Sequence, residues 1–152
     1  YFASFLADAA GGPRHRAFAC GLLHDIGKLL IHHLAENPHD RVRKPTADEL
    51  WQVMPRHAEM GGQLLNLWKL PEMLHDAVAF HHMPLQAPNP RVAGVTYAAN
   101  RLAHKYGFGC RAEDVDPADD PMFAEMNVDA RTLARVHHQA PMLYEVARQF
   151  NA

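Results

Sequence analysis

The sequence predicts an all-α protein, a bundle of five to seven helices. Three observations predict it. Each long apolar segment repeats at the helix period, no segment keeps the alternation of a strand, and the breaks fall at glycines, prolines or capping residues. The chain has 152 residues, 48% apolar and 21% charged, which suits one globular domain with its own core.

The elements follow in order. Phe2, Phe5, Leu6 and Ala9 hold helical spacing, and Gly11–Gly12–Pro13 ends that segment. Ala17 to Leu34 reads as a second helical stretch, with Phe18, Leu22, Ile26 and Leu29 or Leu30 in register, apolar enough to be buried on more than one side. Asn37 to Pro45 is a polar, proline-bounded connection. Thr46-x-x-Glu49 is a capping box ahead of Leu50, Trp51, Val53 and Met54. Pro55 interrupts the pattern, and a new helix starts near it. Its positions His57, Met60, Gly61, Leu64, Leu65 and Trp68 form one stripe, which turns His57 inward. Gly61 leaves room for another helix or a ligand to approach.

Pro71 suits the first position of the next helix. Leu74, Ala77, Val78 and His81 share a face there, His82 lies one turn after Val78, and Pro84 soon stops the helix. Val92 to Tyr106 is a further helix with Val95, Ala99, Leu102 and Tyr106 as its stripe, ended by Gly107 and Gly109. Residues 111–121 are acidic and proline-containing and read as a loop. Asp129 caps a last helix carrying Leu133, Val136, Ala140, Leu143, Val146 and Phe150, with a kink expected at Pro141.

Composition narrows the function. A net charge of -2 gives no electrostatic case for nucleic acid or an anionic membrane as partner. No apolar run approaches the roughly 18 residues of a spanning helix. Cys20 and Cys110 form no C-x-x-C, so a reducing cytoplasm is the expected location. The chain starts at Tyr1 in what reads as mid-helix, which points to a piece of a longer protein.

The count that departs from expectation is 12 histidines. His32, His33, His39, His137 and His138 sit in polar or late positions and read as surface or helix-end residues. The others of interest are His24, followed by Asp25 within Leu22–Leu23–His24–Asp25–Ile26–Gly27–Lys28, then His57, then His81–His82. Ionisable groups in an apolar run are costly unless paired or coordinated. Lys28 follows His24 by four residues and Asp25 by three, so on a helix all three reach one region. A His-Asp pair alone can be a helix-end ion pair, and a lone core histidine is usually a satisfied structural residue. Three inward histidine positions on three helices, with an aspartate, fit a metal site between helices. The ligand types suit iron, manganese, zinc or nickel and do not choose among them.

These residues resemble the HD superfamily of metal-dependent phosphohydrolases, and more closely the HDOD domain, an HD-related output domain of bacterial signalling proteins. The resemblance is carried by Gly21–Leu22–Leu23–His24–Asp25–Ile26–Gly27–Lys28, His57–Ala58–Glu59–Met60–Gly61, Trp68–Lys69–Leu70–Pro71 and His81–His82–Met83–Pro84. It spans nearly all of 1–152, read as one domain lacking its amino-terminal helices. Asn100, in Ala99–Asn100–Arg101–Leu102–Ala103, falls where the family commonly has aspartate. The HD-GYP cyclic-di-GMP phosphodiesterases share the histidine positions but follow the pair with Gly-Tyr-Pro, where this chain has Met83–Pro84–Leu85.

The resemblance implies roles. His24, Asp25, His57, His81 and His82 would be metal ligands, with Asn100 at the closing position, and Asp25 could bridge two ions. Asp25 and Lys28 would be the catalytic candidates, Lys28 facing a substrate phosphate or orienting water. A further histidine of the superfamily would fall just before Tyr1. With Asp25 as the one core carboxylate, the expectation is a divalent metal (iron, manganese, zinc, nickel or magnesium) held weakly or not at all, and at most one ion. Two functions follow. One is a non-catalytic bacterial signalling module with a degenerate metal site that contacts signalling proteins. The other is a phosphohydrolase acting on a phosphomonoester or a cyclic nucleotide.

Overall fold

The computed structural model describes residues 1–36, 43–108 and 119–150, the side chains of 144 and 146–150 excepted. His39, Cys110, Gly109 and most of the two predicted connections lie outside these residues, as do the side chains of Val146 and Phe150. The protein is all-α, with no strand among the described residues. The helices are α1 (Phe2–Ala9), α2 (Arg14–Leu23), α3 (Ile26–Glu36), α4 (Ala47–Val53), α5 (His57–Leu67), α6 (Glu72–Ala79), α7 (Pro90–Lys105), α8 (Pro121–Glu125) and α9 (Ala130–Phe150). Seven of them run eight residues or more; the rest are the short α4, which the capping box predicts, and α8. Single 3-10 turns at Met54–Arg56 and Pro84–Gln86 occupy the two proline breaks.

The chain forms two units. The first comprises residues 1–21 and 94–152, and the second residues 22–93. The core of the first unit gathers Phe2, Leu6, Val95, Ala98, Leu102, Phe123, Val136 and Leu143. Phe2 stacks on Tyr106 at 5.8 Å between ring centres. The Asp129 cap is present, its Oδ1 accepting from Thr132 N–H at 2.8 Å. Helix α9 continues through Pro141. Asp120 caps α8 through Met122 N–H and accepts the Tyr97 hydroxyl at 2.8 Å. Sequence reading extended the loop to residue 121 and missed this short helix.

The second unit carries the site. Its α4 opens with the predicted capping box of Thr46 and Glu49. Helices α3 and α5 meet where both have glycine. A Cβ on Gly27 would lie 1.9 Å from the His57 carbonyl oxygen and 2.8 Å from Gly61 N. A Cβ on Gly61 would lie 3.2 Å from Gly27 N and 2.8 Å from Val78 Cγ1. The space Gly61 leaves is therefore filled by two other helices, α3 and α6. Gly62 makes the same kind of contact with Ala79 and His75 of α6.

Two sequence readings need correction. The predicted helix Ala17–Leu34 is broken at His24–Asp25, which form a turn between α2 and α3. Its buried positions are Cys20, Gly27 and Ile31, while Leu22 and Leu29 face solvent. Trp68, assigned to the α5 stripe, is exposed, because α5 ends at Leu67.

Candidate metal centre

Five of the six candidate ligands, Asn100 excepted, sit at helix ends. His24 and Asp25 form the turn between α2 and α3, His57 is the first residue of α5, and His81–His82 follow the last turn of α6. The sequence opens one helix near His57 and closes another at His81–His82, but its spacing runs His24–Asp25 through the middle of one. Helix ends suit them better, because terminal carbonyls lack intrahelical partners and can accept from a side chain. His81 Nδ1 lies 2.7 Å from the Val78 carbonyl oxygen, and His57 Nδ1 lies 2.7 Å from that of Met54. A carbonyl only accepts, so both Nδ1 atoms carry the hydrogen and donate it. In the neutral imidazole, Nε2 is then a bare lone pair.

Those lone pairs converge. His57 Nε2 lies 3.2 Å from His81 Nε2, 3.2 Å from His82 Nε2 and 3.1 Å from Asp25 Oδ1. Asp25 Oδ1 is 3.8 Å from His81 Nε2, and Asp25 Oδ2 is 3.4 Å from His24 Nε2. The nitrogens of His57, His81 and His82 lie within 4.8 Å of one another, as do the ligand atoms of His24, Asp25 and His81. Acceptor atoms this close repel unless a cation is shared between them. Ligand atoms around a first-row ion, with bonds of about 2.0–2.2 Å, stand about 3.0–3.5 Å apart. Either group of three could therefore hold a divalent ion. The Nδ1 contacts to Met54 and Val78 are of the kind that would orient these histidines toward a metal.

The electrostatics agree with ligand chemistry, which requires neutral imidazole and ionised carboxylate. Burial, helped by the neighbouring His82, pushes His81 down to about 3. Burial, with His57 close beside it, also lowers His82. Burial works to raise the Asp25 carboxyl, but the neighbouring His57 and His24 and the Lys28 ammonium outweigh it and hold the group well below the usual carboxylate range. Lys28 Nζ donates to Asp25 Oδ2 at 2.6 Å.

An acid dependence follows from His81. Its folded value of about 3 lies below the unfolded reference of about 6.5. Between the two, protons bind the unfolded chain preferentially. The contribution of His81 to stability is full above about pH 6.5 and is lost as pH falls toward 3. Metal-stripped protein in urea should lose up to about 1.4 kcal/mol per pH unit between pH 6 and 4 from this residue. His81→Phe should flatten that slope. An unchanged slope in the variant would show that His81 is not held neutral.

The structure thus brings His24, Asp25, His57, His81, His82 and Lys28 together in the second unit. Asn100 lies half-buried on α7, in the first unit. Gly27 escaped sequence reading, although a glycine just after His-Asp was its visible signal. Asp76 escaped too. It is a buried carboxylate on α6 beside His75 Nδ1 at 3.2 Å, flanking the apolar positions Ala77 and Val78.

Fold and site together define a class: an all-α domain with a His/Asp cluster built where helix ends meet. A model of the HDOD domain family matches residues 1–84, and the chain belongs to that family, within the HD-like superfamily. All six clustered residues fall inside the matched stretch. An uncharacterized protein of Treponema pallidum (strain Nichols) is 32% identical over 111 residues, covering 64% of this chain and 22% of that protein. The chain thus matches about a fifth of that relative's length. No solved structure matches. No helix among the described residues is long and apolar enough to cross a membrane.

Proposed function

We propose that this chain is a non-catalytic output domain of bacterial signalling, cytoplasmic, whose surface contacts signalling proteins and whose metal centre is degenerate. One observation carries the reading. Of the five clustered ligand candidates, Asp25 alone is a carboxylate, and its two oxygens already face His57 and Lys28. Four imidazoles and one carboxylate offset little of the charge of two dications in a poorly solvated cleft. A metal bound here would supply an activated water and neutralise phosphate charge, which phosphoryl hydrolysis needs in good measure. The chain also carries a neutral amide, Asn100, at the sequence position where the family commonly has aspartate.

The purified protein, with manganese or iron added, is expected to hydrolyse phosphomonoesters and cyclic dinucleotides at background rate. Clear turnover that Asp25→Ala abolishes would overturn the reading in favour of a metal-dependent phosphohydrolase.

A further inference from the structure

We propose that the cleft between α3, α4 and α5 in the second unit is a binding site for a neutral, largely apolar small molecule. The cleft shares no residue with the metal cluster, so the inference stands or falls apart from the metal-binding reading.

The cleft has a volume of about 530 Å³, inside the range of small-molecule pockets, about 300–1,000 Å³. Ile31, Leu34 and Ala35 of α3, Leu50 and Val53 of α4 and Met60 of α5 supply its apolar lining. Ile31 and Ala35 are each 4% exposed and form a floor that belongs to the core. Helix α4 differs, because none of its seven residues is buried. Short helices usually depend on a packed apolar face. This one is held by its capping box and by Arg43, whose guanidinium donates to the two Glu49 oxygens at 2.9 and 2.7 Å. Leu50 and Val53, one turn apart on one face, therefore line the cleft without being packed away. An apolar molecule seated between α3 and α4 would give them the burial that the fold leaves unmade.

The rim sets the charge of the ligand. Arg43 and Glu49 both line the cleft, and each neutralises the other through the two-point ion pair. An anionic ligand would have to displace Glu49 from Arg43, and a cationic one Arg43 from Glu49. Among the described lining residues, Gln52 adds an uncharged amide, which can donate or accept an orienting hydrogen bond. A neutral molecule with at most one polar tip meets this lining and leaves the ion pair intact.

The test titrates the full chain with the neutral dye N-phenyl-1-naphthylamine, followed by its fluorescence, and with the anionic dye 1-anilinonaphthalene-8-sulfonate for comparison. Wild type is expected to bind one neutral dye per chain with a Kd on the order of 10 µM. The anionic dye should bind about fivefold more weakly, the worth of one exposed ion pair. Met60→Trp fills the cleft, and Leu50→Gln keeps the side chain's size while making its tip polar. Each should weaken the neutral dye by about tenfold or more. Leu50 lies on a helix with no buried residue, so Leu50→Gln carries the test even where Met60→Trp does not fold, with circular dichroism as the check. Trp51→Ala is the control, because Trp51 is 67% exposed and is not a lining residue; it should leave the dye's affinity unchanged. No binding of the neutral dye by wild type overturns the inference. So does wild-type affinity in a folded Leu50→Gln, or a loss in Trp51→Ala, since the dye would then be adhering to exposed apolar surface. Tighter binding of the anionic dye overturns the neutral character assigned to the ligand.

Discussion

Gly27→Ala is expected to destabilise the unit that holds the site by more than about 3 kcal/mol, or to prevent its folding. The added Cβ would stand 1.9 Å from the His57 carbonyl oxygen and 2.8 Å from Gly61 N. Both are backbone atoms, so no side chain can rotate away. Overpacking that flexible side chains can relieve costs about 1–3 kcal/mol, and a clash between two helix backbones should exceed that range. Relief would push α5 away and take His57 with it, so metal uptake should fall in whatever folded protein remains. Gly12→Ala is the control. Its Cβ would meet its nearest neighbour, the Ala7 carbonyl oxygen, at 3.9 Å, and the change should be near neutral. Urea unfolding measures both. A Gly27→Ala protein within about 1 kcal/mol of wild type would mean that α3 and α5 do not cross at this contact.

Asp25→Ala is expected to weaken manganese binding by more than about 100-fold. Loss of an outer hydrogen-bonding partner of a metal ligand typically costs about 10–100-fold, and Asp25 supplies the one negative charge among the five ligand candidates. Asp25→Asn separates charge from shape. It keeps the size of the side chain and a carbonyl donor but removes the anion, and it should behave close to Asp25→Ala. His82→Ala removes one of four imidazoles and should cost less than either. Calorimetric titration decides. Wild-type affinity in Asp25→Asn would show that the imidazoles alone hold the ion and that the carboxylate is a structural partner of Lys28.

Much of the centre was legible in the chain because its parts are local. His24 and Asp25 are adjacent, Lys28 is one turn on, and His57, His81 and His82 stand at the ends of apolar stripes with helical period. What misled was the assumption that an apolar run is one helix. Ala17 to Leu34 has helical spacing throughout, yet the chain turns at His24–Asp25. Periodicity registers the apolar side chains and is blind to a turn whose cost is met by contacts from elsewhere. Asp76 stayed hidden for a related reason: its burial on α6 depends on how that helix packs, and periodicity assigns a carboxylate to the solvent side.

By itself the sequence determined the all-α class, most helix boundaries, the Thr46–Glu49 and Asp129 caps, and the identity of the residues that gather in the cluster. These rest on spacing and capping chemistry, which act over a few residues. Only the tertiary structure decided that His24 and Asp25 sit at a turn between two helices, that the Met54 and Val78 carbonyls fix which nitrogen of His57 and His81 is bare, and that Gly27 and Gly61 let α3 and α5 touch. It alone decided that Asp25 divides its oxygens between an imidazole cluster and Lys28. The Asp25–His57 and Gly27–Gly61 contacts join residues 32 and 34 positions apart (57 − 25 and 61 − 27). They depend on distances of a few tenths of an ångström, and no local pattern in the chain encodes them.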